Sequence, residues 1–286
     1  QANDLEDTLS IDPSVTVGGS TGIAQKIYVR NLGEGLLNVS VDGATQSGAL
    51  FHHTGRMAIE PELLKQVEIQ PGIGDATHGP GALGGAIRFV TKDPDDFLAP
   101  DQQAGALVKN GYYSNSDGYK GSLTGFARIN ENWSTLLSYV YSDHQNMKDA
   151  DGDTLLGSET QQEVILTKLV GHFGDGHTFR ASFENLEEEG QKLRRPEWAA
   201  GPGNPEFPME SSRQTVTLGH EYRPETVQWI DLRTNLSYST ADIYQNGPFG
   251  PYEGLIKSFQ FDLRNLQPVG RHEFEYGMDY RFDKVE

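Results

Sequence analysis

The chain has 286 residues, no cysteine, and a formal net charge of −18 from 41 acidic and 23 basic residues. The lack of cysteine excludes disulfides, thiolate metal sites and a Cys nucleophile, and the acidic balance argues against nucleic acid as a partner. No run approaches the ~20 apolar residues of a membrane-spanning helix, and the mean hydropathy is −0.55, yet a β-barrel whose strands alternate lipid-facing and lumen-facing residues reads as equally polar.

The first 95 residues are mixed in texture. QKIYVRNL (25–32) reads as a strand, and LLNVSVDG (36–43) reads as a second strand closed by the turn signal Asp42-Gly43. A polar segment follows, and then IEPELLKQ (59–66) predicts a short helix, with Pro61 in its first turn and Glu60 suited to the dipole. Val67, Glu68 and Ile69 resume a strand.

HGPGALGGAIRFVTKD (78–93) contains a literal G-x-G-x-x-G at Gly79, Gly81 and Gly84. A dinucleotide loop needs a strand before the glycines and a helix after them, so that phosphate sits on the helix N-terminus. Here a turn-rich PGIGDAT (71–77) precedes them, and AIRFVTK, a strand stopped by Asp93-Pro94, follows. The glycines, with Gly85, therefore read as a tight connection where backbones approach closely.

From about 103 the texture becomes uniform. Trp133, Thr135, Leu137, Tyr139 and Tyr141 alternate with Ser134, Ser138 and Ser142. Ile230, Leu232, Leu236 and Tyr238 oppose Asp231, Arg233, Asn235 and Ser237. Phe274, Tyr276, Met278, Tyr280 and Phe282 oppose Glu273, Glu275, Asp279 and Arg281. Strands of roughly ten residues or more, with aromatics near their ends, suit a tilted membrane crossing. Short turns are predicted at 129–132, 174–176, 223–226 and 268–270, and long polar loops at 144–159, 187–211 and 242–253. That alternation belongs to an up-and-down barrel with short periplasmic turns and long outer loops. About nine strands are predicted from 103 to 286. An odd, open set leaves unpaired edge groups that lipid cannot satisfy, so further strands are expected beyond FDKVE.

Taken together, VRNLGEGLLNVSVDG, IEPELLKQVEIQPG and HGPGALGGAIRFVTK resemble the TonB-dependent outer-membrane receptors, and the resemblance extends over the whole chain. The family often has V-R-G where Val29-Arg30-Asn31 stands, and Tyr-Gly where His78-Gly79 stands. The resemblance implies a mixed α/β plug domain over 1–95, a linker over 96–102, and the N-terminal part of a 22-stranded membrane β-barrel from 103 to 286. No TonB box is recognisable in QANDLEDTLS, and the resemblance implies that it lies upstream. Arg30, Asp42, Gly43, Gly79, Gly81, Gly84 and Gly85 become plug framework.

The same resemblance implies a bacterial outer-membrane receptor, not an enzyme. Its partners are TonB with its inner-membrane energising complex, an iron-complex ligand, and the lipid and lipopolysaccharide of the membrane. No cofactor is held permanently. The cargo is an Fe(III)-siderophore in the first reading and haem in the second, although the ALGG form of the final loop (82–85) is similar to the haem and haemoglobin branch. The plug's apical loop falls at 47–57, which carries Phe51, His52, His53 and Arg56. Imidazole ligates haem iron, arginine pairs with anionic oxygen, and an aromatic stacks on a flat ligand; the bland alternative is polar loop surface.

Asp149, Asp151 and Asp153 in KDADGDT offer loose divalent binding, but the spacing of a calcium loop fails, because Gly152 is two positions early and Thr160 replaces the bidentate Glu. Glu187–Glu189 with Lys192, Arg194 and Arg195 predict a charged outer loop, and His172, His177, His220 and His272 read as scattered strand-end residues. Two readings of other classes compete: a soluble secreted β-rich binding protein, separable by detergent dependence, and a glycan-cleaving enzyme, for which no pair of carboxylates across a cleft can be assigned.

Overall fold

The computed structural model describes residues 4–19, 21–46, 50, 53–55, 59–73, 79, 81–247 and 250–286. Its N-terminal third is two small sheets and one short helix. The helix, α1 (Leu5–Leu9), is capped by Asp4, whose carboxylate accepts from the Asp7 amide, and it buries Leu5 and Leu9. An acidic first turn behind an Asp cap is a helix start that the strand patterns around it masked. Strands β1 (Val15–Gly18), β2 (Lys26–Val29) and β3 (Leu32–Gly33) form one sheet. Strands β4 (Leu37–Val41), β5 (Ala44–Thr45), β6 (Leu64–Pro71) and β7 (Gly85–Thr91) form the second, in the order β5-β4-β7-β6, with β4 and β7 parallel. A common core of Leu5, Leu9, Ile27, Val29, Leu37, Val39, Ile87 and Phe89 joins the helix and both sheets.

The helix predicted over 59–66 is a single 3-10 turn, Pro61–Leu63. Leu64 and Gln66 onward pair with Val90 and Thr91 of β7, with a bulge between them, so sheet pairing overrides a weak local helix preference. Glu60 keeps its capping role and accepts from the Glu62 amide.

The remainder is one nine-stranded antiparallel meander: β8 (Ala104–Tyr113), β9 (Gly118–Arg128), β10 (Trp133–His144), β11 (Thr160–Phe173), β12 (His177–Leu193), β13 (Glu206–Tyr222), β14 (Leu232–Gly247), β15 (Gly250–Val269) and β16 (His272–Val285). The predicted faces hold. Leu137, Phe183, Leu218, Tyr238, Phe274 and Tyr280 lie exposed on the outward side, while the opposite face wraps the plug.

Several loop predictions do not hold. The segment 187–211 is a loop only over 194–205, and 242–253 has almost no loop, because β12 to β15 run on as paired strands. The connection after β13 is longer than predicted, reaching from 223 to 231. On the outward face of these extensions Glu163, Glu187, Ser212 and Asp242 replace the apolar belt. Those strand ends are polar yet fully paired, and polarity there had read as loop.

The end carrying 145–159 and 194–205 is the outer end, since barrels of this kind keep long loops outside. At the inner end, Asp95 meets Ser134 (3.2 Å) and His172 (2.8 Å).

Candidate functional site

The inward wall is polar, and the plug answers it group by group. Lys168 of β11, almost fully buried, lies 3.1 Å from Asp42 and 3.2 Å from Asp93, and donates to the Thr91 carbonyl. Arg180 of β12 adds a second cation on Asp93 at 3.1 Å. Burial pushes the Asp93 carboxyl up, but Lys168 and Arg180 outweigh it and hold it below the ordinary range. Lys109 and Ser122 meet Glu62 at 2.8 and 2.7 Å. Lys120 meets Glu60, whose pKa burial nonetheless raises. Farther along the sheet Asn235 donates to the Asp42 carbonyl, and Gln260 accepts from the Thr45 amide.

Of the predicted framework residues, Asp42 and Gly43 make the turn between β4 and β5, and Gly84 and Gly85 lead into β7. Asp42 accepts from the Thr91 amide and hydroxyl at 2.9 and 2.6 Å, which ties the β4 turn to the end of β7. Gly43 stands at φ +81 with Asn235 against the place where a Cβ would sit. Gly85 opens β7 at φ +134, where a Cβ would collide with the Gln70 carbonyl of the neighbouring strand; both positions require glycine. Gly79 and Gly81 also have positive φ, and Gly84 packs on Leu32 and Leu37. Arg30 has φ 48 and donates its amide to the Ser14 carbonyl. The G-x-G-x-x-G leads into a strand, as its flanks predict, and carries no helix.

At the outer end two plug segments meet the barrel rim. Glu188 accepts from the Ile23 amide at 3.0 Å, and fully buried Lys192 donates to Thr21 and, at 2.7 Å, to the Glu159 carbonyl. Glu188 and Lys192 were predicted in an exposed charged loop. They instead sit on inward positions of β12, where a charge persists only with partners.

The Gly55 amide donates to the Ile23 carbonyl, and Tyr252 of β15 reaches the Leu50 carbonyl at 2.5 Å, so the apical segment is tied to both its neighbour loop and the wall. His53 Nδ1 lies 3.3 Å from Glu197 Oε1, and Lys26 Nζ lies 3.4 Å from the same oxygen. Phe51, His52 and Arg56 lie outside the described residues. Glu197 belongs to the outer loop 194–205. Its carboxyl is pushed up by burial but held below the ordinary range by its own amide, His53 and Lys26. Beside it Arg195 lies 4.2 Å over the ring of Trp198, which is 57% exposed.

A cavity of about 330 Å³ opens between the plug and the inner side of β8 to β11, with Tyr113, Lys120, His144 and Met147 on its wall. His144 bonds Ser116 at 3.0 Å and meets Tyr113 edge-on. Sequence reasoning missed both Glu197 and His144; only a histidine-bearing apical loop pointed toward this end of the molecule.

The other candidates disperse. Asp149 spends its carboxylate on the Asp151 and Asp153 amides, a turn closed on itself. No group of three or more metal-ligating side chains gathers among the described residues. The histidines are less scattered than predicted: His177 and His220, on adjacent strands, place Nδ1 and Nε2 3.0 Å apart in a stack with Phe179 and Tyr222.

A family model described as the TonB-dependent receptor plug domain matches residues 1–86. Among curated proteins, a heme transporter of Brucella ovis is 31% identical over 246 residues, covering 86% of this chain and 37% of the relative. A TonB-dependent heme receptor of Haemophilus influenzae is 27% identical over 98% of this chain and 42% of its own length. The chain thus spans about two fifths of these relatives. Among solved structures, the FrpB iron transporter of Neisseria meningitidis superposes with a TM-score of 0.89 at 23% identity, over 100% of this chain and 47% of that one.

Proposed function

This chain carries the plug domain of the TonB-dependent receptors within nine strands of their outer-membrane barrel, and we propose that the protein it belongs to imports haem iron across that membrane. The carrying observation is that relatives at 31% and 27% identity are a heme transporter and a heme receptor. A ferric siderophore came first in the sequence reading and haem second; these relatives reverse that order. They are a transporter and a receptor, and an enzyme gains no support.

The geometry suits such a role. The plug packs against the inward face of the sheet, on the path that cargo would take through the barrel. Its apical histidine, His53, is at the outer end beside a barrel loop, where cargo arrives first. Beyond two apolar patches, one around Leu63, Leu98 and Phe126 and one where Ile23 and Leu50 meet Phe207 and Met209, the seam consists of hydrogen bonds and ion pairs. Water can replace such partners one at a time, so a pull from TonB, energised by the inner-membrane complex, displaces the plug without exposing a large apolar core.

The test is growth of a receptor-deleted strain complemented with the full-length gene, on haem or on ferric siderophores as sole iron source. Growth on haem that vanishes when TonB is removed is expected. Rescue on siderophores alone overturns the haem reading. A His52→Ala, His53→Ala double variant should lose growth on haem; unchanged growth would make the apical loop framework only.

A further inference from the structure

Haem makes three chemical demands: an axial ligand for iron, a flat apolar surface for the macrocycle, and cations for two propionates. The loop 194–205 stands beside His53 with groups of each kind. Glu197 touches His53, Trp198 presents an exposed indole, and Arg195 stacks on that indole.

The Glu197–His53 contact has a chemical direction. A carboxylate is ionised at neutral pH and can only accept, and the Glu197 oxygen lies 3.3 Å from His53 Nδ1. A neutral His53 bonded there carries its proton on Nδ1, and its lone pair is on Nε2. This is how metal-ligating histidines are oriented: one nitrogen donates to a carboxylate, which fixes the tautomer and raises the basicity of the other. Lys26 Nζ, 3.4 Å from the same oxygen, is a second donor to that carboxylate.

The loop is held rigid enough for this purpose. The Asn204 side chain accepts from the Arg195 amide at 3.0 Å and donates to the carbonyls of Arg195, Trp198 and Ala199 at 3.0, 3.2 and 3.3 Å. The Trp198 amide closes a turn onto the Arg195 carbonyl. Trp198 and Glu197 are therefore presented from one small, internally bonded unit.

We infer that Glu197 is a positioning residue that sets His53 to ligate iron through Nε2, and that Trp198 and Arg195 form the barrel-side wall of the haem site. The inference rests on the haem reading above, and it adds a barrel-loop carboxylate whose effect passes only through the plug histidine.

Haemin and iron-free protoporphyrin IX separate these roles, because both have the ring and propionates but only haemin has an axial bond to lose. The full-length receptor in detergent is titrated with each. Glu197→Gln, nearly isosteric, should weaken haemin about 10- to 100-fold, with fading of the low-spin spectrum, and leave protoporphyrin unchanged. His53→Ala should do the same, Glu197→Asp should restore part of the haemin affinity, and Trp198→Ala should weaken both ligands. Unchanged haemin binding in Glu197→Gln overturns the positioning role while the haem reading stands. An equal loss of both ligands overturns it too, by making Glu197 a loop-packing residue. A wild-type receptor that binds neither ligand overturns the haem reading itself.

Discussion

The two faces of the nine-stranded sheet obey opposite rules. Outward, the belt is Leu218, Val216, Tyr238, Phe259, Tyr280 and their neighbours, all exposed. Inward, the wall buries Lys168, Glu184, Glu188, Lys192 and Arg213, each engaged with an opposite charge. A soluble sheet would be read the other way round. Lipid accepts apolar side chains without pairing, whereas a buried charge persists only when its partners are in place. The inward face is therefore specific to one seated plug, and the outward face to a solvent.

The comparison can be broken most severely at Lys168. Lys168→Ala leaves Asp42 and Asp93 facing each other without their shared cation, and removing one member of a buried network typically costs about 3–5 kcal/mol. Denaturant unfolding of the full-length receptor in detergent, with protease sensitivity of the plug read in parallel, should register the loss. A change below about 1 kcal/mol would mean that water already satisfies those carboxylates.

A charge on the other face should cost somewhat less. Leu218→Arg places a guanidinium within the belt, at about 2–4 kcal/mol near the bilayer midplane. If refolding into liposomes shows no penalty, the belt has been assigned to the wrong depth.

Acid sharpens the contrast within the seam. Asp93 has a folded pKa below its ordinary 3.8, so its stabilisation is present above that value and is lost as pH falls through the depressed one. Glu60 has a folded pKa above 4.5, so its contribution is full below 4.5 and is lost as pH rises through the raised value. Glu62, in the same segment, shares the sign of Asp93: burial pushes it up, but Lys109 and Ser122 hold it below 4.5. As pH falls below 3.8, hydrogen exchange should show the inner-end anchor at 91–96 opening before 59–63, and parallel opening of both would contradict the sign at Glu60.

The smallest effect is expected at Glu275→Gln. Glu275 is inward-facing on β16 and 3.6 Å from Arg264, but among the described residues no plug segment contacts it, so the change should stay within ~0.5 kcal/mol in the same unfolding assay. A larger loss would mean that charge pairing on this face does not need the plug.

Much of this was legible in advance. Alternation at Trp133–Tyr141 and Phe274–Phe282 assigned each side chain to a face, because a strand repeats every two residues whatever surrounds it. Asp42-Gly43 announced its turn, and the strand after Gly84 excluded a nucleotide loop, since both depend on backbone geometry within a few residues. Where sequence reading failed, a distant partner had the decision. IEPELLKQ turned into strand because β7 offered it a ladder, and EEEGQKL stayed in β12 because β11 and β13 flank it.

The site divides in the same way. The sequence by itself determined that an apical plug segment carries paired histidines, since that needs only the order of elements along the chain. Only the tertiary structure could decide that Glu197, 144 residues farther along, sets its carboxylate on His53, or that Lys168 sits between Asp42 and Asp93. Those pairings are set by how far the sheet curls around the plug, and neither residue type nor local spacing encodes that curvature.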